Sequence, residues 1–505
     1  MTRVAVVGGG IGGLAVALFL GRRGHAVTVL ERDGRRPGRD LDADFFAWRR
    51  PGVPQAVQPH GLLAPVRTVL REEAPDVYDA MLRMGAGERN ELEWFAERPP
   101  ARPGDADLVT VQTRRIVLEA ALHDAVHREP SVDVRLGEPA EGLVVDRHGG
   151  GCVPRVTGVR SRSGRHDADL VLDAGGRRSP VPGWLAGAGC RDAVVENHPT
   201  GIAYFCRWYR LPPDGPRDPG RVKAGSVAAF AVGGVFPSDN GTFAVFLTVS
   251  IADPTRGALL DPEVFERVAR TFPAVAAWLG LRPEPLSRVL AMGGLDNRWT
   301  GLSDAAGPVV TGLVGVGDAV THTNPTMGQG VALALWAAQW VAGHAAHAAA
   351  DPEAFAAGYH HWAGQTLRPW FDVQVAMDRV NEARLSRAAR SAGAVGPAGP
   401  TGPAAGPSSE AGRGVAGDPA RDLARDMAAV SACSWDDPVV MRARARIRHL
   451  VQPADQAYGT AEVRARVASW LAEHPDFTPG YDGPAREEWE SAMGADRAAP
   501  RPDMT

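Results

Sequence analysis

Read as a succession of apolar and polar positions, the chain opens on a β-branched run over residues 3–8 that ends in glycines, and residues 14–23 then carry apolar side chains at helical spacing. Residues 26–30 are apolar and β-branched again. Strand, turn, helix and strand in that order predict a right-handed βαβ unit. Residues 37–59 mix charge, proline and aromatics without a period and read as a long loop, while 62–84 has helical spacing broken at Pro75. A strand is expected at 108–112, an amphipathic helix at 114–128, and a short buried strand at 169–172 running into Gly175 and Gly176.

From about 202 to 251 the period changes to two. Strands are expected at 202–209, 227–236 and 243–249, with turns such as Ser238-Asp239-Asn240-Gly241 between them, which is the pattern of an antiparallel sheet. Parallel-strand character returns at 309–317, so the first unit is expected to be discontinuous. Beyond Tyr359 the pattern is helical. Residues 393–417 are dominated by Gly, Pro, Ala and Ser without apolar periodicity, and read as a flexible linker; glycine holds no third-position register, which excludes collagen. A last helical segment, about 421–493, has apolar faces at Val439/Met441/Ile447/Val451 and Val463/Val467/Trp470/Leu471. No internal repeat is present.

Composition narrows the class. A chain of 505 residues, 44% hydrophobic and 23% charged, can bury the cores of two or three domains. The net charge of -4 gives no reason to expect nucleic acid or an anionic membrane as partner. Lys223 is the only lysine among the 55 basic residues, which with the abundant Ala, Gly and Pro points to a GC-rich genome. The four cysteines lie far apart and form no CxxC pair, so neither a disulfide framework nor a metal site is expected, and a cytoplasmic location fits. Residues 1–20 lack a basic n-region and a cleavage site. The apolar run 331–350 approaches the length of a membrane span, but Gln339, His344 and His347 recur in it at helical spacing, so a buried helix is expected.

The chemistry begins at Gly8-Gly9-Gly10-Ile11-Gly12-Gly13, which satisfies G-x-G-x-x-G at Gly8, Gly10 and Gly13. The first glycine permits a tight turn, the second lets a pyrophosphate approach, and the third lets helix and strand pack closely. The helix start then offers free N–H groups, from Ile11 and Gly12 onward, and a positive dipole end. Glu31 ends the second strand, where a carboxylate can accept both hydroxyls of an adenosine ribose; Arg32 follows it. This predicts a dinucleotide site.

Residues 315–319 (GVGDA) and 324–330 (NPTMGQG) resemble the second FAD motif of the FAD-dependent monooxygenase/hydroxylase superfamily, whose fold is that of para-hydroxybenzoate hydroxylase. The resemblance implies that Asp318 binds the ribityl or phosphate end of FAD. It implies also that the turn containing Pro325, Gly328, Gln329 and Gly330 lies against the isoalloxazine, where a helix N-terminus suits a reduced flavin anion. The other reading of Asp318 is an N-cap for a helix over 327–345. Residues 113–119 (TRRIVLE) resemble the family's arginine at a helix start, with Arg115 at the position that reaches the pyrophosphate. Residues 168–179 (ADLVLDAGGRRS) resemble its third motif, but Gly175 stands where an Asp is usual and Asp173 comes two residues earlier. That form is nearer to polyether and squalene-type epoxidases, halogenases and geranylgeranyl reductases. It leaves two electron sources open, NAD(P)H directly or a separate flavin reductase. His60-Gly61-Leu62-Leu63 is also similar to epoxidase-like members with a His before a helix near the flavin. The resemblance covers roughly residues 1–370.

The implied architecture is α/β. Residues 1–195 and 290–370 would form a Rossmann-like FAD-binding domain, 196–289 an antiparallel-sheet substrate domain, 371–392 a helical segment, 393–417 a linker and 418–505 a helical C-terminal segment. The implied chemistry is non-covalent FAD and monooxygenation, by hydroxylation or epoxidation through a flavin C4a-(hydro)peroxide, of a small and fairly apolar metabolite, as in natural-product tailoring. Water must be kept out of such a site. Tyr204, Phe205, Phe230, Phe236, Phe243 and Phe246 are candidates to roof the cavity, or else plain core. No acid–base pair stands out: His60, His322 and Arg298, with Asp296 beside it, are the catalytic candidates, and each His reads as structural or cofactor-contacting ahead of catalytic. A halogenase would need an early catalytic lysine and a W-x-W-x-I-P segment, both absent here. A reductase of the geranylgeranyl-reductase type is the runner-up, and a redox-neutral FAD-containing cyclase a third reading.

Overall fold

The structure, a computed structural model, describes residues 1–147, 153–393 and 427–494. Apart from Gly393, the linker expected at 393–417 lies outside the described residues.

Strands drawn from distant parts of the chain make the central sheet. Its order is Leu313–Gly315, Leu170–Asp173, Arg3–Val7, Ala26–Glu31 and Val132–Leu136, and every pairing is parallel. The run Val4-Ala5-Val6-Val7 is apolar throughout because both faces of the sheet are covered. Val4 and Val6 join the core beneath the helices Ile11–Gly21, Arg115–His127 and Gly330–Ala348. Ala5 and Val7 face the opposite side, where Leu143, Val156 and Val159 come from a three-stranded antiparallel sheet of Ala140–Asp146, Arg155–Ser161 and Gly164–Asp167. That small sheet has no counterpart among the expected elements.

Three local expectations need correction. The 37–59 stretch is not wholly loop: Leu41–Ala47 is a helix, started by the Asp40 side chain accepting from the Ala43 amide at 3.0 Å and held by Phe45 against Trp208. The helix Arg115–His127 is buried nearly all round rather than amphipathic, because Arg115 and Arg50 both pair with Glu119 inside the protein. Asp318 is not a helix N-cap; Gln329 holds that position before Gly330–Ala348. The break at Pro75 separates helices Ala64–Glu73 and Pro75–Arg83. Among the described residues no helix is long and apolar enough to cross a membrane.

The second large sheet is antiparallel, in the order Gly225–Val227, Ala231–Pro237, Thr242–Ser250, Ile202–Arg210 and Glu284–Pro285, with Leu290–Met292 also on Ile202–Arg210. The strand expected at 227–236 is split at residues 228–230. Alternation sorts the aromatic residues into two sets. Phe205, Phe230 and Phe243 enter the core beneath helices Pro262–Ala269 and Pro273–Leu279. Tyr204 and Phe246 stack on the opposite face with Phe236 beside them. A three-stranded sheet of Val194–Pro199, Asp296–Gly301 and Thr321–His322 joins the two halves.

The helix Arg368–Gly393 runs from the first half to the second. Helices Pro438–Arg448, Ala454–Tyr458 and Ala461–Glu473 close a small core around Cys433, Val440 and Val463. The apolar face expected to include Val451 ends short of it, since Val451 is 48% exposed. Arg442 ties this unit to Asp105 at 2.8 Å.

Candidate functional site

The glycine turn after Arg3–Val7 shows why Gly8 and Gly13 are required. Gly8 has φ +103°, and a Cβ there would lie 2.5 Å from the Ala174 carbonyl oxygen. A Cβ on Gly13 would lie 2.0 Å from the Gly8 oxygen. Gly10 is the exception, because a Cβ there would meet nothing within 4 Å. The fold leaves this space open in front of a helix start that has no side-chain cap. Glu31 closes one end: its Oε2 accepts from the Gly9 amide at 2.5 Å and its Oε1 from the Asp33 amide at 2.8 Å. Arg32 turns away to the surface, its guanidinium lying over Gly52.

The dipeptide Arg114-Arg115 divides its labour. Arg114 is buried against Asp239, whose Oδ1 also accepts from the Arg114 amide at 2.7 Å, so the helix start is anchored to the antiparallel sheet's turn. Arg115 points the other way, with Nη1 3.4 Å from Nε2 of His60. His60 is carried by the 54–60 loop, which the antiparallel sheet holds through Trp208 Nε1 donating to the Val57 oxygen at 2.8 Å and Cys206 Sγ to Gln58 Oε1 at 3.0 Å. Burial and the Arg115 charge push the His60 imidazole down to about 4.

Asp318 follows the strand Leu313–Gly315 and accepts from Nδ1 of His322 at 3.1 Å. Burial alone would raise its carboxyl, but the His322 bond and the nearby Arg115 and His60 outweigh burial and hold it below the usual carboxylate range. A Cβ on Gly330 would lie 3.8 Å from Asp318 Oδ1, and one on Gly328, at φ +67°, 3.4 Å from the Gly61 oxygen. The turn entering Gly330–Ala348 thus meets both Asp318 and the His60–Gly61 loop, and Gly61 in turn meets the Phe236 ring of the antiparallel sheet. His60, Arg115, Asp318, His322 and the 325–330 turn therefore share one cleft. Glu31 stands at the far end of the glycine turn. Arg298 is opposite His322 in the strand register, and Asp296 is held by Arg177 at 2.7 Å.

Residues of this cluster and its turn carry orphaned polar atoms. Thr323 Oγ1, Gln329 Oε1 and His322 Nε2 are buried without hydrogen-bond partners among the described residues. Such groups are costly unless a ligand satisfies them. An open space for phosphates, an arginine, a carboxylate for a polyol and unpaired donors and acceptors at a helix start fit a flavin dinucleotide.

Sequence reasoning missed the support behind the turn. Asn324 is held by Asn297 and Asp378, and Thr326 by Gln374; Gln374 and Asp378 come from the 371–392 segment, to which the sequence assigns no site role. The available signal was Gln374 and Asp378, four residues apart on the same helical stripe as Phe371 and Val375.

A family model described as an NAD(P)-binding Rossmann-like domain matches residues 6–65. Protein Rv3254 of Mycobacterium tuberculosis is 28% identical over 353 residues, covering 65% of this chain and 69% of that protein. Among solved structures, the fold is similar to PqsL, a probable FAD-dependent monooxygenase from Pseudomonas aeruginosa, with TM-score 0.55 and 18% identity over 76% of this chain and 98% of that one. The myxobacterial chondrochloren halogenase CndH superposes with TM-score 0.50 and 16% identity over 98% of this chain and 97% of that one. The flavin-dependent brominase Bmp2 gives TM-score 0.51 and 14% identity over 77% and 92%. At these identities the likeness is one of fold, a Rossmann-like parallel sheet joined to an antiparallel one.

Proposed function

We propose that this chain, which has the fold of FAD-dependent monooxygenases and halogenases, is a FAD-dependent monooxygenase acting on a small and fairly apolar metabolite. One observation carries the reading: Arg115, His60, Asp318 and the 325–330 turn meet in one cleft, although the sequence separates them by up to 270 residues from first to last. The proposed units are 1–195 with 290–370 for the cofactor and 196–289 for the substrate.

FAD, when bound, supplies two-electron redox chemistry and the activation of O2. The protein's own groups hold and shield it. The helix start at Ile11–Gly21 and Arg115 would receive the pyrophosphate, and Glu31 would exchange its bond to the Gly9 amide for the adenosine ribose. Asp318 would take the ribityl end. The amides around Gly328 and Gly330 would lie against the flavin ring and favour negative charge there. His60, neutral above about pH 4, would offer a ring nitrogen there without adding charge of its own. Phe236, which meets Gly61, with Phe246 and Tyr204 stacked behind it, is proposed to form an apolar wall that excludes water from the substrate. Arg298 and His322 are proposed as cofactor-side contacts rather than acid–base catalysts. NAD(P)H is the proposed electron source, directly or through a flavin reductase, and the nearness in motif to the epoxidase branch makes epoxidation one of the two proposed outcomes.

The test has two stages. Purified protein titrated with FAD should show saturable quenching of flavin fluorescence, with the flavin released on denaturation. Reaction of the reduced holoprotein with labelled O2 and a panel of apolar aromatic and olefinic metabolites should place one labelled oxygen atom in a product. Turnover of a metabolite at full rate without label would overturn oxygen insertion in favour of the reductase or redox-neutral reading.

A further inference from the structure

The 325–330 turn must hold its shape if it is to present amides to a ligand, and its local bonds, such as the Gly328 amide to the Pro325 oxygen, do not fix it against the rest of the fold. Its rigidity comes from the helix Arg368–Gly393. Asp378 is buried in this helix, and its Oδ2 accepts from Asn297 Nδ2 at 2.7 Å, from Gln374 Nε2 at 2.9 Å and from Asn324 Nδ2. Asn297 Oδ1 accepts from the Asn324 amide at 2.8 Å, and Asn324 Oδ1 accepts from the Thr326 amide at 2.9 Å. Gln374 extends the set, donating to Thr326 Oγ1 at 2.9 Å and accepting from Gln329 Nε2 at 3.2 Å.

The same helix grips the antiparallel sheet. Leu385 packs with Ile202, Tyr204 and Cys206 beneath the aromatic wall, and Arg384 donates to the carbonyl oxygens of Ala228 and Ala229. Asp378 thus lies between the turn and the wall, on one rod that touches both. A buried carboxylate with three donors on one oxygen is a costly group unless every donor is held, so the network has one arrangement.

We propose that Asp378 is a positioning residue that fixes the 325–330 turn through Asn324, Asn297 and Gln374, and so sets the affinity and the reduction potential of the cofactor without touching it. This rests on the FAD reading above for its cofactor half. The geometric half concerns the turn alone.

The experiment uses the full-length chain as Asp378→Ala, Asp378→Asn and Gln374→Ala, with Met377→Ala, half-exposed on the same helix, as control. Hydrogen–deuterium exchange on FAD-free protein should show faster exchange across residues 322–331 in Asp378→Ala and Gln374→Ala. The control should match wild type. Asp378→Asn should stay within about threefold of wild type, because an amide oxygen can accept the same three bonds while its NH2 faces Thr326 Oγ1. With FAD, Asp378→Ala should raise Kd at least tenfold and shift the midpoint potential, with Asp378→Asn close to wild type. If Asp378→Ala does not fold, Gln374→Ala carries the same readouts. Wild-type exchange in the turn for both Asp378→Ala and Gln374→Ala overturns the proposal whatever binds. Faster exchange together with no FAD binding by wild type leaves the positioning role standing and overturns the FAD reading instead.

Discussion

Nε2 of His60 lies 3.4 Å from Nη1 of Arg115, and that contact joins a loop held by the antiparallel sheet to a helix start on the parallel one. Arg115 also bonds Glu119, which Arg50 shares at 3.0 Å, so removing Arg115 leaves Glu119 still paired.

Arg115→Met should therefore leave the fold intact and act on the cleft. His60 should titrate above its present value of about 4, but below its ordinary 6.5, because burial, the larger cause, remains. Ring-proton NMR against pH measures this directly. FAD affinity should fall about 10- to 100-fold, the worth of a charged hydrogen bond to phosphate. Arg32→Ala, at the exposed guanidinium over Gly52, should change affinity by less than about threefold. Equal losses in both variants would remove Arg115 from the cofactor site.

The glycines give a sharper contrast. A Cβ at Gly13 would strike the Gly8 oxygen, whereas one at Gly10 would enter empty space. Gly10→Val should leave the melting temperature of FAD-free protein within a degree or two while abolishing FAD binding, since the side chain fills the place of a pyrophosphate. Gly13→Ala should lower the stability of the FAD-free protein by about 2 kcal/mol or more. If Gly10→Val binds FAD normally, the phosphates lie elsewhere.

These glycines were legible because their spacing reports backbone geometry within a single βαβ unit. Asp318 and Arg115 were singled out through motif resemblance; in the structure Arg115 lies beside His60, while Arg114 is taken up by Asp239. What escaped is instructive in physical terms. Asn297, Asn324 and Asp378 are 27 and 54 residues apart; Asn324 opens the 324–330 motif, but Asn297 and Asp378 each read alone as ordinary polar positions. Only their burial together makes them a network. The helix at Leu41–Ala47 escaped because its one strong signal, the Asp40 cap, precedes only seven residues, too few to show a helical period. The aromatic set was half legible: alternation says that neighbours face opposite ways, but not which face is the cleft.

Asp173 ends the strand Leu170–Asp173 with Oδ1 accepting from the Gly175 amide at 2.9 Å and Oδ2 from Ser179 Oγ at 2.6 Å. Burial pushes its carboxyl up to about 6, from an ordinary 3.8. Between those two values the folded protein holds a proton that the unfolded chain has released, so this group costs stability as pH rises from about 4 to 6, and the cost stays constant above. Asparagine can keep both bonds, accepting from Gly175 and donating to Ser179. Asp173→Asn should thus be more stable than wild type at pH 8, by at most about 3 kcal/mol, with the gap closing by pH 4. Denaturant unfolding of FAD-free protein at pH 4, 6 and 8 measures it. A gap independent of pH would show that the carboxyl does not titrate in this window.

Trp489 makes the last prediction, and it concerns the C-terminal extension. Helix Arg486–Met493 is short and polar, with one i,i+4 ion pair of its own between Arg486 and Glu490. Its main anchor is one residue. Trp489 is fully buried in the core of the antiparallel sheet, edge-on to Phe230 at 5.3 Å and to Phe272 at 6.2 Å, with Nε1 donating to Thr255 Oγ1 at 3.2 Å. Arg486 adds an ion pair to the buried Asp253 at 2.7 Å. The extension thus completes the core behind the sheet, on the face away from Tyr204 and Phe246. Trp489→Ala should cost about 3–5 kcal/mol in denaturant unfolding, the range for emptying a large aromatic site. Trp489→Phe, which keeps the ring and loses the Thr255 bond, should cost roughly half or less. Because the glycine turn, Arg115 and Asp318 belong to the other core, FAD Kd measured well below the unfolding transition should change by less than about threefold in either variant. A cost under about 1 kcal/mol for Trp489→Ala would mean that the sheet holds its own core and that this helix merely rests on it.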